Sequence, residues 1–168
     1  MSIIITKLVL CLAFLKLATA IVPSLGLSTA EGERSPLADS DFHIRFTDGT
    51  LVTTPAFNTS AINLGNHPAL AGADVQATIF QLDMPVGGAF PLHYNPRARS
   101  VVYVVSGTVE AMFRFEGSPD ARQVTNIVTA GEAAIIPEAL LNQLTCISDV
   151  PCRSVSILNS ADPGAIFV

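Results

Sequence analysis

The stretch Gly87–Gly107, GGAFPLHYNPRARSVVYVVSG, decides the fold. It opens on paired glycines, and Val101 to Val105 is a β-branched and aromatic run closed by Ser106-Gly107. Such a run between turn residues reads as a strand. Beyond it, Val109, Ala111, Phe113 and Phe115 alternate with Glu110, Met112 and Arg114, and Ser106-Gly107 predicts a hairpin between the two strands. Upstream, Ala77 to Met84 alternates, with Thr78, Phe80, Leu82 and Met84 on one face. Downstream, Gly117-Ser118-Pro119-Asp120 is a turn; Val124, Asn126 and Val128 begin another strand; and Ala130-Gly131 turns into Ala133 to Ile136. Leu141 to Cys146 and Arg153 to Leu158 are expected to pair across the loop between the two cysteines, and Ala165 to Val168 is a last short strand. Many short strands between Gly and Pro turns indicate a sandwich or barrel. A closed barrel also removes exposed strand edges.

The rest of the chain sets the context. At 168 residues it is long enough for one compact domain, and 49% hydrophobic against 14% charged residues supplies a core. A net charge of −5 argues against nucleic acid or an anionic membrane as partner. Residues 1–20 read as a secretory signal: Lys7 precedes an apolar stretch, and Ala18-Thr19-Ala20 is a small-x-small cleavage pattern. The rival reading, a membrane anchor, needs about 20 apolar residues, and Lys16 interrupts the stretch. Secretion predicts an extracellular location. Signal removal takes Cys11 with it and leaves Cys146 and Cys152 in an oxidising compartment, which favours a disulfide stapling a hairpin. The alternative is a pair of buried free thiols. Asn58-Thr59-Ser60 is a glycosylation sequon. Residues 21–49 are expected to form a mobile arm and the first short strands, with the barrel domain over 50–168.

Two spaced motifs carry a resemblance. Gly87 is followed by five residues and His93; Asn95 stands two further on; four residues separate it from Ser100, and six more lead to Gly107. Gly131 leads by five residues to Pro137, with Ala139, Asn142 and Cys146 at fixed offsets beyond. This framework resembles the two signature motifs of the cupin superfamily. There the first motif carries His-x-His and Glu, and the second carries Pro-x-Gly, His and Asn. The closest resemblance within the superfamily is to germins, through Asn95-Pro96-Arg97-Ala98-Arg99-Ser100 and through Asn159-Ser160-Ala161-Asp162-Pro163-Gly164 followed by an apolar run. It covers roughly Thr50 to Val168. The resemblance implies an all-β fold, a single cupin jelly-roll barrel. It also implies a manganese site of three imidazoles and one carboxylate.

At the four matching positions this chain has His93, Asn95, Ser100 and Asn142. The anionic ligand and two imidazoles are missing, and one imidazole with three neutral oxygens is a poor set for manganese. His93 is the one family ligand that remains, and a hydrogen-bonded barrel-mouth histidine is the ordinary alternative. Asp83, Glu110, Glu138, His43 and His67 have no ligand spacing with His93. Arg97 matches the germin arginine and is expected to pair at the barrel rim. The leading expectation is therefore a non-catalytic extracellular cupin without cofactor, structural, storage-type or binding a small molecule in the barrel. The alternative is a manganese enzyme of the oxalate oxidase or superoxide dismutase type, its metal held by His93 in an altered site. A third reading is a receptor module, with Asn95, Ser100 and Asn142 bonding a polar ligand. A homo-oligomer is left open, a dimer before a hexamer.

Overall fold

The computed structural model describes residues 38–67, 69, 70, 75–117 and 120–168. The predicted leader 1–20, most of the predicted arm, and Ser118-Pro119 of the predicted turn lie outside the described residues. Residues 38–49 form two 3-10 turns, Asp39–Phe42 and Phe46–Asp48, rather than strands. Among the described residues the first strand, β1, begins at Thr50.

The strands are β1 (Thr50–Thr53), β2 (Asn58–Ile62), β3 (Thr78–Met84), β4 (Ala89–Tyr94), β5 (Ser100–Ser106) and β6 (Thr108–Arg114). They continue with β7 (Gln123–Thr129), β8 (Ala133–Ile136), β9 (Leu141–Cys146), β10 (Cys152–Leu158) and β11 (Ile166–Phe167). They form two antiparallel sheets, in the orders β1-β2-β3-β10-β5-β8 and β11-β4-β9-β6-β7. The molecule is an all-β jelly roll.

Two pairings differ from the sequence reading. No hairpin forms across Ser106-Gly107: β5 pairs with β10 and β8, while β6 pairs with β7 and β9 in the other sheet. Gly107, with φ of 78°, carries the chain from one sheet to the other. Nor do β9 and β10 pair across the cysteine loop. β9 lies between β4 and β6, and β10 lies between β3 and β5. Alternation places one face of each strand inward but does not say which strands share a sheet.

The inward faces divide the barrel lengthwise. On β3, β5, β9 and β10 the inward residues run Phe80, Leu82, Met84; Ser100, Val102, Val104; Asn142, Leu144, Cys146; and Leu158, Ser156, Ser154, Cys152. The last members of these series pack with Val109, Ala111 and Val128 into a closed hydrophobic end. The first members border a cavity. The Cys146–Cys152 disulfide sits in the closed end, with both residues buried. It joins β9 to β10, and so one sheet to the other, rather than stapling a hairpin.

The Pro137-x-x turn carries a strained residue. Ala139 has φ of 61°, where a glycine stands in the motif that this segment resembles. Its N–H donates to the Asn95 carbonyl at 3.0 Å, tying the second motif to the first. A left-handed conformation costs an L-residue roughly 1–2 kcal/mol. Glycine escapes that cost but loses about 0.5–1 kcal/mol through greater freedom in the unfolded chain. Ala139→Gly is therefore expected to stabilise the fold by about 0.5–1 kcal/mol, raising the melting temperature by about 2 °C. A thermal melt that shows no gain would contradict the strain.

Candidate functional site

The cavity lies between the sheets at the open end of the barrel and encloses about 340 Å³. His93, Asn95, Ser100 and Asn142 all border it. Strand register explains the convergence. His93 of β4 and Asn142 of β9 are direct cross-strand partners. Asn95 lies one residue past the end of β4, and Ser100 opens β5 in the facing sheet, opposite Leu158 of β10. The spacing of the two motifs is thus the spacing that aims four side chains from two sheets at one space.

The hydrogen bonds orient these groups. His93 is buried, and its Nδ1 lies 2.8 Å from the Pro91 carbonyl. A carbonyl only accepts, so Nδ1 carries the proton and Nε2 keeps its lone pair. The Asn142 amide nitrogen donates to the carbonyls of His93 and Leu140, each at 3.1 Å. The Asn95 amide nitrogen donates to the Gly164 carbonyl. Asn142 spends two amide hydrogens on the backbone and Asn95 spends one of its two, and each Oδ1 remains an acceptor. Rings crowd the imidazole. The Phe90 ring lies 4.9 Å from it, edge to face, and the Phe167 ring lies at 5.7 Å. Phe57 in turn stacks edge-on against Phe90 at 4.9 Å.

Burial lowers the His93 pKa, against an opposing pull from the Pro91 carbonyl. A histidine whose folded pKa lies below its ordinary value near 6.5 takes up protons on unfolding. Its contribution to stability is complete above that value and is lost as pH falls below it toward the folded pKa. Wild type is expected to lose melting temperature on acidification from pH 7 through this window, and His93→Phe to lose less. Equal acid sensitivity in parallel melts would show that His93 is not the group responsible.

The rim is built by the terminal motif. Asn159 Oδ1 accepts from the Arg99 N–H at 2.9 Å, and the Asn159 N–H donates to the Arg99 carbonyl at 3.2 Å. Arg97, as expected, pairs at the rim: it reaches Asp162 Oδ1 at 2.8 Å and donates from Nε to the Asp162 carbonyl. These contacts place the Asp162–Gly164 segment against Asn95 and carry β11, with Phe167, to the cavity edge. The other sequence candidates lie elsewhere. Asp83 pairs with Arg153 across β3 and β10, and Glu138 with Arg99. His67 meets the His43 carbonyl at 3.4 Å. Among the described residues no three His, Cys, Asp or Glu side chains are grouped to hold an ion. Sequence reasoning missed the ring cluster of Phe57, Phe90 and Phe167 and the hydroxyl of Ser156. The alternation Cys152, Ser154, Ser156, Leu158 was the available signal for the last.

A family model described as cupin matches residues 42–168. The chain belongs to the cupin family. Curated relatives that this cupin matches include germin-like proteins. Germin-like protein subfamily 1 member 10 of Arabidopsis thaliana is 29% identical over 118 residues, covering 70% of this chain and 52% of that protein. The chain spans about half the length of the curated relatives it matches. Among solved structures, peruvianin-I, a cysteine peptidase from Thevetia peruviana latex, superposes with a TM-score of 0.69 at 24% identity, covering 80% of this chain and 81% of that one. Oxalate oxidase in complex with the substrate analogue glycolate gives 0.62 at 22%, covering 79% and 68%. At those identities the likeness is one of fold.

Proposed function

We propose that this germin-like cupin is a secreted, extracellular protein that does without the family's metal and acts through its barrel as a small-ligand-binding protein. The observation that carries the reading is the neutrality of the cavity: the four converging side chains are one imidazole, two amides and a hydroxyl. Manganese favours anionic oxygen and several imidazoles. A carboxamide oxygen brings no charge, and His93 alone supplies one good ligand. The residues present therefore do not fit the metal that the resemblance implies. The same neutrality opposes an anionic substrate such as oxalate, because a carboxylate buried without a cation is penalised heavily. The two described cysteines are joined, so the free thiolate that a cysteine peptidase such as peruvianin-I needs has no counterpart in them.

One observation favours the enzyme reading. Histidine ligands usually donate their second ring N–H to a carbonyl or carboxylate, as His93 does to Pro91. Elemental analysis of the protein purified from its native secreted pool separates the two. Substoichiometric metal is expected; equimolar manganese sinks the metal-free reading. Asn58 is exposed at the start of β2, so its sequon is reachable by a glycan in the same secreted protein.

A further inference from the structure

This inference rests on the metal-free reading of the cavity and gives the occupant a chemistry. Three properties of the space constrain it. First, its fixed polar groups offer more acceptors than donors. His93 Nε2, Asn95 Oδ1 and Asn142 Oδ1 have no donor among the described residues, while His93 Nδ1 meets the Pro91 carbonyl, Asn142 donates to the carbonyls of His93 and Leu140, and Asn95 gives one of its two amide hydrogens to that of Gly164. The donors left are the second amide hydrogen of Asn95 and hydroxyls such as that of Ser100, which can give as well as take. His93 and Asn142 are 7% and 4% exposed, so what little surface they keep faces the cavity, where a donor on an occupant can reach these acceptors. Second, among the described residues no charged side chain borders the space. Third, the walls are apolar and aromatic: Phe57, Phe80, Phe90 and Phe167 line the space, and Phe90 and Phe167 lie against the imidazole. The size follows too. A cavity of about 150 Å³ holds one benzene, so 340 Å³ admits a compound of one or two rings.

We infer that the cavity binds a neutral aromatic ring compound bearing a hydroxyl donor, a phenol or aryl alcohol of one or two rings, with the hydroxyl donating to His93 Nε2. The rings stack edge-to-face with Phe57, Phe90 and Phe167, as these already do with one another. The hydroxyl meets the strongest of the acceptors. No bond is made or broken; the ligand is held, not turned over.

Three probes of nearly equal size test the assignment by calorimetry on the purified secreted protein at pH 7. They are 2-naphthol, which is neutral and a donor; 2-methoxynaphthalene, which is neutral and has no donor; and 2-naphthoate, an anion. The naphthol is expected to bind about tenfold more tightly than the ether, the worth of one hydrogen bond of about 1.4 kcal/mol. The naphthoate is expected to bind more weakly than both. His93→Phe keeps a ring in the aromatic cluster and removes the acceptor. It should bring naphthol and ether to equal affinity while the ether's own affinity stays within about threefold. Should that variant not fold, the wild-type series decides alone. Equal wild-type affinities for naphthol and ether, a preference for the naphthoate, or no saturable binding of any probe overturns the inference and leaves the metal-free reading standing. Equimolar manganese in the same preparation overturns that reading itself.

Discussion

A variant carrying Asn95→His, Ser100→Glu and Asn142→His is expected to bind one equivalent of manganese, a gain of orders of magnitude over wild type. The expectation follows from register. Position 142 faces His93 across the β4–β9 ladder, position 95 lies two residues along from His93, and position 100 looks in from the other sheet. The substitutions add two imidazoles and one anion at positions that already border one space, which is the ligand set that suits the metal. The carboxylate contributes most, because it is the only charge that offsets the cation in an apolar enclosure. The change has a cost. Asn95 loses its bond to the Gly164 carbonyl, and Asn142 loses its bonds to the carbonyls of His93 and Leu140. Each carbonyl left bare costs about 1–3 kcal/mol if water cannot reach it. The metal-free variant should therefore melt below wild type and recover when manganese is added, since a ligand that binds only the folded state stabilises it. Melting curves with and without manganese, paired with elemental analysis, check both halves. A folded variant that takes up no metal would show that the four positions do not converge as closely as a coordination sphere requires.

How far the sequence disclosed this depends on which property is asked of it. Strand positions were legible because Thr78, Phe80, Leu82 and Met84, or Val109, Ala111 and Phe113, alternate with a period of two. The four site positions were legible because their spacings match a known pair of motifs, and the register then brings them to one cavity. Sheet membership was not legible. A glycine after Ser106 serves equally for a hairpin and for a crossing between sheets, and only the pairing of β10 with β5 distinguishes them. The same gap hid the meaning of the disulfide. The orientation of Asn95 and Asn142 was equally out of reach, since it depends on carbonyls at Gly164 and Leu140 that no motif describes. Substitution of a ligand reads in sequence as a loss; the hydrogen bonds give both asparagines structural tasks in its place.

Removing the bridge by Cys146→Ala with Cys152→Ala is expected to destabilise the protein by about 3 kcal/mol, lowering the melting temperature by roughly 10 °C. The loop it closes is short, with a sequence separation of 6. The chain-entropy argument alone then gives about 2 kcal/mol. The remainder comes from packing. Both cysteines are buried in the closed end of the barrel, in one core cluster with Val104 and Val109, so alanines leave unfilled space there. Gly107 shows how tight that packing is: a Cβ at this position would lie 2.8 Å from Cys152 Sγ. Because the bridge links two sheets, its loss should be felt in both. The bonds between Gly87, Gly88 and Cys146 tie the start of β4 to the end of β9 in one sheet. In the other, Cys152 stands opposite Met84 at the start of the β10–β3 ladder. Amide exchange is expected to quicken at both places in the variant. Faster exchange confined to the loop from Ile147 to Pro151 would mean that the closed end is held by its apolar packing alone, and the melting temperature would then fall by far less.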